Sequence, residues 1–168
     1  MPAPASIALG SNQGDRRAHI GSALRAVGAL PGTSLIAASN LYETAPIGMP
    51  AGEPSFLNAA AVIRTDLPPR DLLKHLLRIE REHGRTRTPG ERWGSRTLDL
   101  DLLTYADRVI SEPCLIIPHP RLHERLFVLE PLASIAPDLV IPTLSRTARE
   151  LLEELRHAPR ILPGDSPP

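Results

Sequence analysis

The stretch that most limits what this chain can fold into is Leu98-Asp99-Leu100-Asp101-Leu102, where apolar and acidic residues alternate without a break. A period of two fits a β-strand and not a helix. The leucines point one way and both aspartates the other. The leucine face must be covered by other elements, while the acidic face meets water or a ligand. The two Asp Cα atoms then stand about 6.6 Å apart, from roughly 3.3 Å of rise per residue. That spacing lets two carboxylates share hard cations, and magnesium takes one or two carboxylates together with waters and phosphates. A half-exposed strand whose acids simply face water is the plainer alternative.

The residues before the strand favour the ligand. Arg92-Trp93-Gly94-Ser95-Arg96 leads into it, and Arg78, Arg81, Arg85, Arg87, Arg92 and Arg96 crowd a single stretch. Lys74 is the one Lys of the chain. Two adjacent like charges call for cations nearby, and arginine presents a fixed, always-charged fork matched to phosphate oxygens. Carboxylates able to hold metal, with arginines beside them, describe a phosphoryl-transfer site. No GxxxxGK[ST] and no GxGxxG occurs, so nucleotide phosphates would be handled by arginines and metal.

Elements alternate around this strand. Residues 6–9 are an apolar run ending at Gly10, and 16–30 carry Ile20, Leu24, Val27 and Leu30 at helical spacing before Pro31-Gly32. Residues 35–43 and 56–65 read as strands, separated by a Pro- and Gly-rich loop over 45–54. Pro68-Pro69 opens a strongly amphipathic helix with Leu72, Leu73, Leu76, Leu77 and Ile79 on its apolar stripe, and Gly84 is placed to end it. Residues 85–95 are polar and loop-forming, 97–105 form the fourth strand, a short helical stretch opens at Pro118-His119-Pro120, and a last helix spans 144–155. The order predicts an α+β sandwich, ferredoxin-like and three-layered, with a largely antiparallel sheet and flanking helices. One domain over 1–168 is expected, with 159–168 as a flexible tail.

The bulk properties remove several classes. At 168 residues and 42% hydrophobic, the chain can bury a core. Net charge is zero, so nothing global argues for nucleic acid or an anionic membrane as partner. A non-catalytic nucleic-acid binder stays open on the strength of the arginine cluster alone, and so does an ordinary γ-phosphoryl kinase. Cys114 is the single cysteine, so no intramolecular disulfide forms. No apolar run reaches the roughly 20 residues that span a bilayer, and residues 1–9 do not resemble a signal peptide. A cytoplasmic protein is expected.

With those residues in view, the chain resembles the 6-hydroxymethyl-7,8-dihydropterin pyrophosphokinases. The family's long central motif is matched by residues 92–101, and its first-strand motif by Leu9-Gly10-Ser11-Asn12. Tyr42-Glu43-Thr44, Phe56-Leu57-Asn58-Ala59-Ala60 and Pro118-His119-Pro120-Arg121-Leu122 with Arg125 and Phe127 follow in the family's order. The resemblance implies transfer of the β,γ-pyrophosphoryl group of ATP to the pterin hydroxymethyl oxygen, leaving AMP, in folate biosynthesis. It implies two Mg²⁺ held by Asp99 and Asp101, and Arg85 and Arg96 as catalytic arginines. ATP contacts are implied at Glu80, Arg87, Arg96, Leu102, His119 and Arg125. The pterin would meet Gly10, Thr44, Ala45, Ile47, Phe56 and Asn58, stacked between Trp93 and Phe127. A flat polar heterocycle does need aromatic faces and an amide that both donates and accepts. A monomer is expected, with association with other folate-pathway enzymes left open.

Overall fold

The computed structural model describes residues 1–45, 51–84 and 97–158. The expectations placed on Ile47, Arg85, Arg87, Trp93, Arg96 and the tail at 159–168 lie outside the described residues.

The central sheet is assembled from long-range pairs. Strand β1 (Ala3–Ser11) pairs antiparallel with β4 (Phe56–Thr65) on one side and with β5 (Asp99–Tyr105) on the other, and β2 (Thr33–Ala38) pairs with the far side of β4. The short β3 (Tyr42–Thr44) also pairs with β4, giving the order β2-β4-β1-β5 with β3 beside β4. Residues 35–43 therefore do not form the single strand expected of them. They are two strands sharing one edge of β4, and the break is chemical. The Ser39 backbone N–H donates to the Ala60 carbonyl, while the Ser39 hydroxyl accepts from the Ala60 N–H. A side chain thus replaces one rung of the ladder, and the chain steps out of register there.

Alternation gives the sheet two faces. Ile7 and Leu9, Ala59, Ala61 and Ile63, and Leu98, Leu100 and Leu102 share one core with Ile20, Ala23 and Val27 of α1 (Arg16–Gly28) and Leu72, Leu76 and Ile79 of α2 (Pro69–Glu82). Ala60 and Leu103 share a second core with Val128, Leu129 and Leu132 of α3 (Leu126–Ile135) and Leu151 and Leu152 of α4 (Ala148–His157). Helices on both sides of one antiparallel sheet make the three layers, as expected. Helix α2 starts with Pro69 in its first turn and ends before Gly84, whose φ of 79° is the left-handed conformation that glycine adopts without a Cβ clash.

Two small hairpins, β6 (Ile110–Glu112) with β7 (Leu115–Ile117) and β8 (Val140–Ile141) with β9 (Arg146–Thr147), are additions to the sequence reading. They also move the late helices. Pro118-His119-Pro120 precedes only a 3-10 turn at Leu122–Glu124, with α3 beginning at Leu126. Helix α4 begins at Ala148 rather than 144, because Thr147 caps it. The Thr147 hydroxyl accepts from the Glu150 N–H, and the Glu150 carboxylate accepts from the Thr147 N–H.

Candidate active site

Asp99 and Asp101 project from β5 on the face opposite Leu98, Leu100 and Leu102, and both are half-buried. Asp99 is opposite Gly10 on β1, Gly10 is opposite Asn58 on β4, and Asn58 is opposite Tyr42 on β3. One row across four strands therefore reads Asp99, Gly10, Asn58, Tyr42. Because Gly10 has no side chain, the row holds a bare strip of backbone between the carboxylate and the amide. The strip is about 10 Å wide, twice the roughly 4.8 Å strand spacing. Asp101 is opposite Ala8, so the next row is low as well.

The amide end of the strip is tightly set. Asn58 is 5% exposed, and its Nδ2 donates to Thr44 Oγ1 at 2.7 Å. That bond turns Oδ1 toward Gly10, where a Cβ would stand 3.4 Å from it. One amide acceptor and one remaining amide hydrogen are thereby offered beside a flat floor. Phe56 lies on the same face as Asn58, two residues back along β4, and is half-buried opposite Thr44. Ala45 follows at the exposed end of β3.

The connection into α3 supplies the other wall. The His119 backbone N–H donates to the Leu103 carbonyl at 2.8 Å, fixing it beside β5. Its Nδ1 faces the Arg121 N–H at 3.2 Å and therefore accepts, which leaves Nε2–H as the imidazole's donor. Burial, and then the nearby Arg125, hold the His119 pKa below its ordinary value, against an opposing pull from Asp99. His119 is thus neutral at pH 7 and lies within electrostatic reach of both groups. The Arg125 guanidinium carbon sits 5.6 Å from the centre of the Phe127 ring, a cation–π arrangement that joins the cationic and aromatic parts of this wall.

Glu80 and Leu102, expected beside ATP, stand on the other side of the sheet. Glu80 is 2% exposed, and its carboxylate accepts the Leu100 N–H at 2.8 Å. Leu102 packs in the core beneath α1 and α2. Neither offers side-chain surface to a ligand on the carboxylate face. Glu80 instead satisfies an edge-strand N–H on the residue between the two aspartates, which fixes the stretch that carries them. Tyr42, which the sequence offers only as part of the Tyr42-Glu43-Thr44 motif, stands at the end of the same row opposite Asn58. The signal for that placement was the alternation in the motif, which sends Tyr42 to the face of Thr44 and Asn58.

Among the described residues, no group of three His, Cys, Asp or Glu side chains is arranged to hold a metal ion. The aspartate pair fits magnesium in the manner expected of a phosphate site: two hard carboxylates on one face, with the remaining positions left to water and substrate. A paired carboxylate, a neutral histidine donor, a cation and a flat amide-edged floor are the kinds of group that a transferase acting on a phosphorylated co-substrate and a planar small molecule requires. The family model described as 7,8-dihydro-6-hydroxymethylpterin-pyrophosphokinase (HPPK) matches residues 6–137. The chain is 45% identical over 150 residues to a 2-amino-4-hydroxy-6-hydroxymethyldihydropteridine pyrophosphokinase of Haemophilus influenzae, covering 89% of this chain and 91% of that one. It is 48% identical over 136 residues to the protein of that name from Pseudomonas aeruginosa, covering 81% and 82%. Among solved structures it resembles a Plasmodium falciparum HPPK-DHPS with a TM-score of 0.71 at 15% identity, covering 92% of this chain and 43% of the other. That likeness bears on the fold. The chain belongs to the HPPK family. It transfers pyrophosphate from ATP to the hydroxymethyl group of 6-hydroxymethyl-7,8-dihydropterin, in folate biosynthesis.

Proposed function

We propose that the row from Asp99 to Asn58 is the reaction centre, with ATP phosphates over the carboxylate end and the pterin over the Gly10 floor. The single observation that carries this is the ladder register: Gly10 separates Asp99 from Asn58 and leaves a flat gap sized for a bicyclic ring. In this reading Asp99 and Asp101 hold two Mg²⁺, which when bound would neutralise the triphosphate and polarise the attacking hydroxymethyl oxygen.

The chain's own residues do the rest. Asn58 reads the pterin edge with one acceptor and one donor, its orientation fixed by Thr44. Gly10 lets the ring lie on the backbone, and Phe56, Phe127, Ala45, Ile47 and Trp93 enclose it. His119 donates Nε2–H to a phosphate oxygen, and its neutrality leaves the positive charge to Arg125 and to Arg87. Arg85 and Arg96 stabilise charge as it develops on the transferred group, so Arg85→Ala lowers kcat more than it weakens binding. Glu80 and Leu102 support the nucleotide end from beneath. The whole chain acts as one catalytic unit, a monomer of the cytoplasm, and its substrates are small molecules. Among the described residues, no helix is long and apolar enough to cross a membrane.

Manganese can stand in for magnesium as a paramagnetic probe. Titration of Mn²⁺ into the protein with a non-hydrolysable ATP analogue should show two bound ions per chain. Asp99→Asn and Asp101→Asn should each lose tight binding. Two tight ions retained in both variants would overturn the metal assignment.

A further inference from the structure

Strand β3 is three residues long and, among the described residues, pairs only with β4, so its ladder alone holds it weakly. Yet it carries Thr44, which orients the Asn58 amide. Alternation along Tyr42-Glu43-Thr44 turns Glu43 away from Thr44, toward the face covered by α1. There Arg16, the first residue of α1, meets it. Arg16 Nη1 donates to Glu43 Oε1 at 3.1 Å, to the Ser55 carbonyl at 2.7 Å and to Ser55 Oγ at 3.0 Å. The Ser55 hydroxyl in turn donates to Glu43 Oε1 at 2.5 Å. One guanidinium nitrogen thus ties the residue just before Thr44 to the residue just before Phe56.

The base of this clasp is itself fixed. Asp15 caps α1 by accepting from the Ala18 N–H at 3.0 Å, and Asn12 Nδ2 reaches the Pro54 carbonyl at 3.5 Å. The Ser55 hydroxyl, and then Arg16, hold the Glu43 carboxyl below the usual range, so it stays ionised at neutral pH. An exposed Arg–Glu pair alone adds little stability. What sets this cluster apart is three acceptors converging on one nitrogen, directly behind two residues that face the substrate.

We infer that Arg16 is a positioning residue for the pterin: through Glu43 and Ser55 it seats β3 against β4, so that Thr44 holds the Asn58 amide in its reading orientation. The inference rests on the assignment of Asn58 to the pterin. With the clasp removed, β3 shifts, Thr44 no longer fixes the amide, and pterin binding weakens. The aspartate pair on β5, separated from β4 by β1, keeps its place.

The test is steady-state kinetics of Arg16→Ala, Arg16→Lys and Glu43→Ala, with Asn58→Ala beside them and thermal unfolding of each. Arg16→Ala and Glu43→Ala should raise the pterin KM about tenfold. The ATP KM and kcat should stay within about twofold, because the transition-state groups are untouched. Arg16→Lys, which keeps a cation on a shorter stem, should recover part of the pterin affinity. Glu43→Ala removes the acceptor while leaving Arg16 in place, and serves should Arg16→Ala fail to fold. An unchanged pterin KM in Glu43→Ala, or equal losses for ATP and pterin, overturns the inference. Asn58→Ala separates the two failures: a large effect there with none at the clasp sinks the clasp alone, whereas no effect at either sinks the pterin assignment with it.

Discussion

Replacing Gly10 with alanine should separate folding from function, because the two faces of β1 ask different things of that position. A Cβ built at Gly10 would stand 3.4 Å from Asn58 Oδ1 and 3.9 Å from the Leu57 carbonyl. These are tolerable contacts, so the strand accepts the methyl group. A glycine inside a strand costs roughly 0.5–1 kcal/mol relative to alanine, so stability should hold or rise by about that amount. In a protein of this size that is about 1–4 °C in Tm. The ligand side responds differently. The methyl group projects about 1.5 Å from the floor on which the pterin is proposed to lie. A gap of even 0.5–1 Å forfeits roughly a quarter to a half of each dispersion contact. Spread over a bicyclic ring, a loss of about 1.4–2.7 kcal/mol is expected, or roughly 10- to 100-fold in pterin KM. Initial rates at saturating MgATP with varied hydroxymethyldihydropterin, together with thermal unfolding, measure both quantities. A pterin KM within about twofold of wild type would refute the floor, and a Tm several degrees lower would refute the packing argument.

Three further outcomes follow from the described contacts. Glu80→Ala leaves the buried Leu100 N–H without its acceptor and should cost about 1–3 kcal/mol in denaturant unfolding, with a fall in kcat because Leu100 lies between the aspartates. Glu80→Gln keeps an acceptor and should lose less. Burial and Arg125 depress the His119 pKa from 6.5, so the unfolded chain binds this proton at higher pH than the folded one. Stability present above about pH 6.5 should therefore be lost as pH falls from there through the folded pKa. His119→Gln should flatten that part of a Tm–pH profile of the metal-free protein, and identical profiles would contradict the assignment. Thr147→Ala removes the α4 cap and should cost about 1 kcal/mol in denaturant unfolding.

Local chemistry was legible in the sequence, and long-range register was not. The bounds of β4 and the start and stop of α2 follow from composition and from Pro69 and Gly84. The two faces of β5 follow from its alternation. The split of residues 35–43 turns on Ser39 pairing with Ala60, which is 21 residues away, and no local pattern announces such a partner. The start of α4 was available in the Thr147-to-Glu150 spacing of a capping box, but the apolar residues from Leu144 onward masked it. In the site, resemblance supplied Gly10 and Asn58 as separate residues, while only the ladder shows that Gly10 is the gap between Asn58 and Asp99. Glu80 could be named from the sequence as a site residue. Its bond to the Leu100 N–H, and the meeting of Arg16 with Glu43 and Ser55, depend on how helices seat against the sheet.

The role proposed for the aspartate pair is tested most directly by the AMP released from MgATP and hydroxymethyldihydropterin by wild type, Asp99→Asn and Asp101→Asn. Wild type should release AMP and no ADP. Each variant should unfold at the wild-type temperature yet release AMP at least about 100-fold more slowly. Near-normal AMP release from either folded variant would contradict the claim that these two carboxylates carry the reaction.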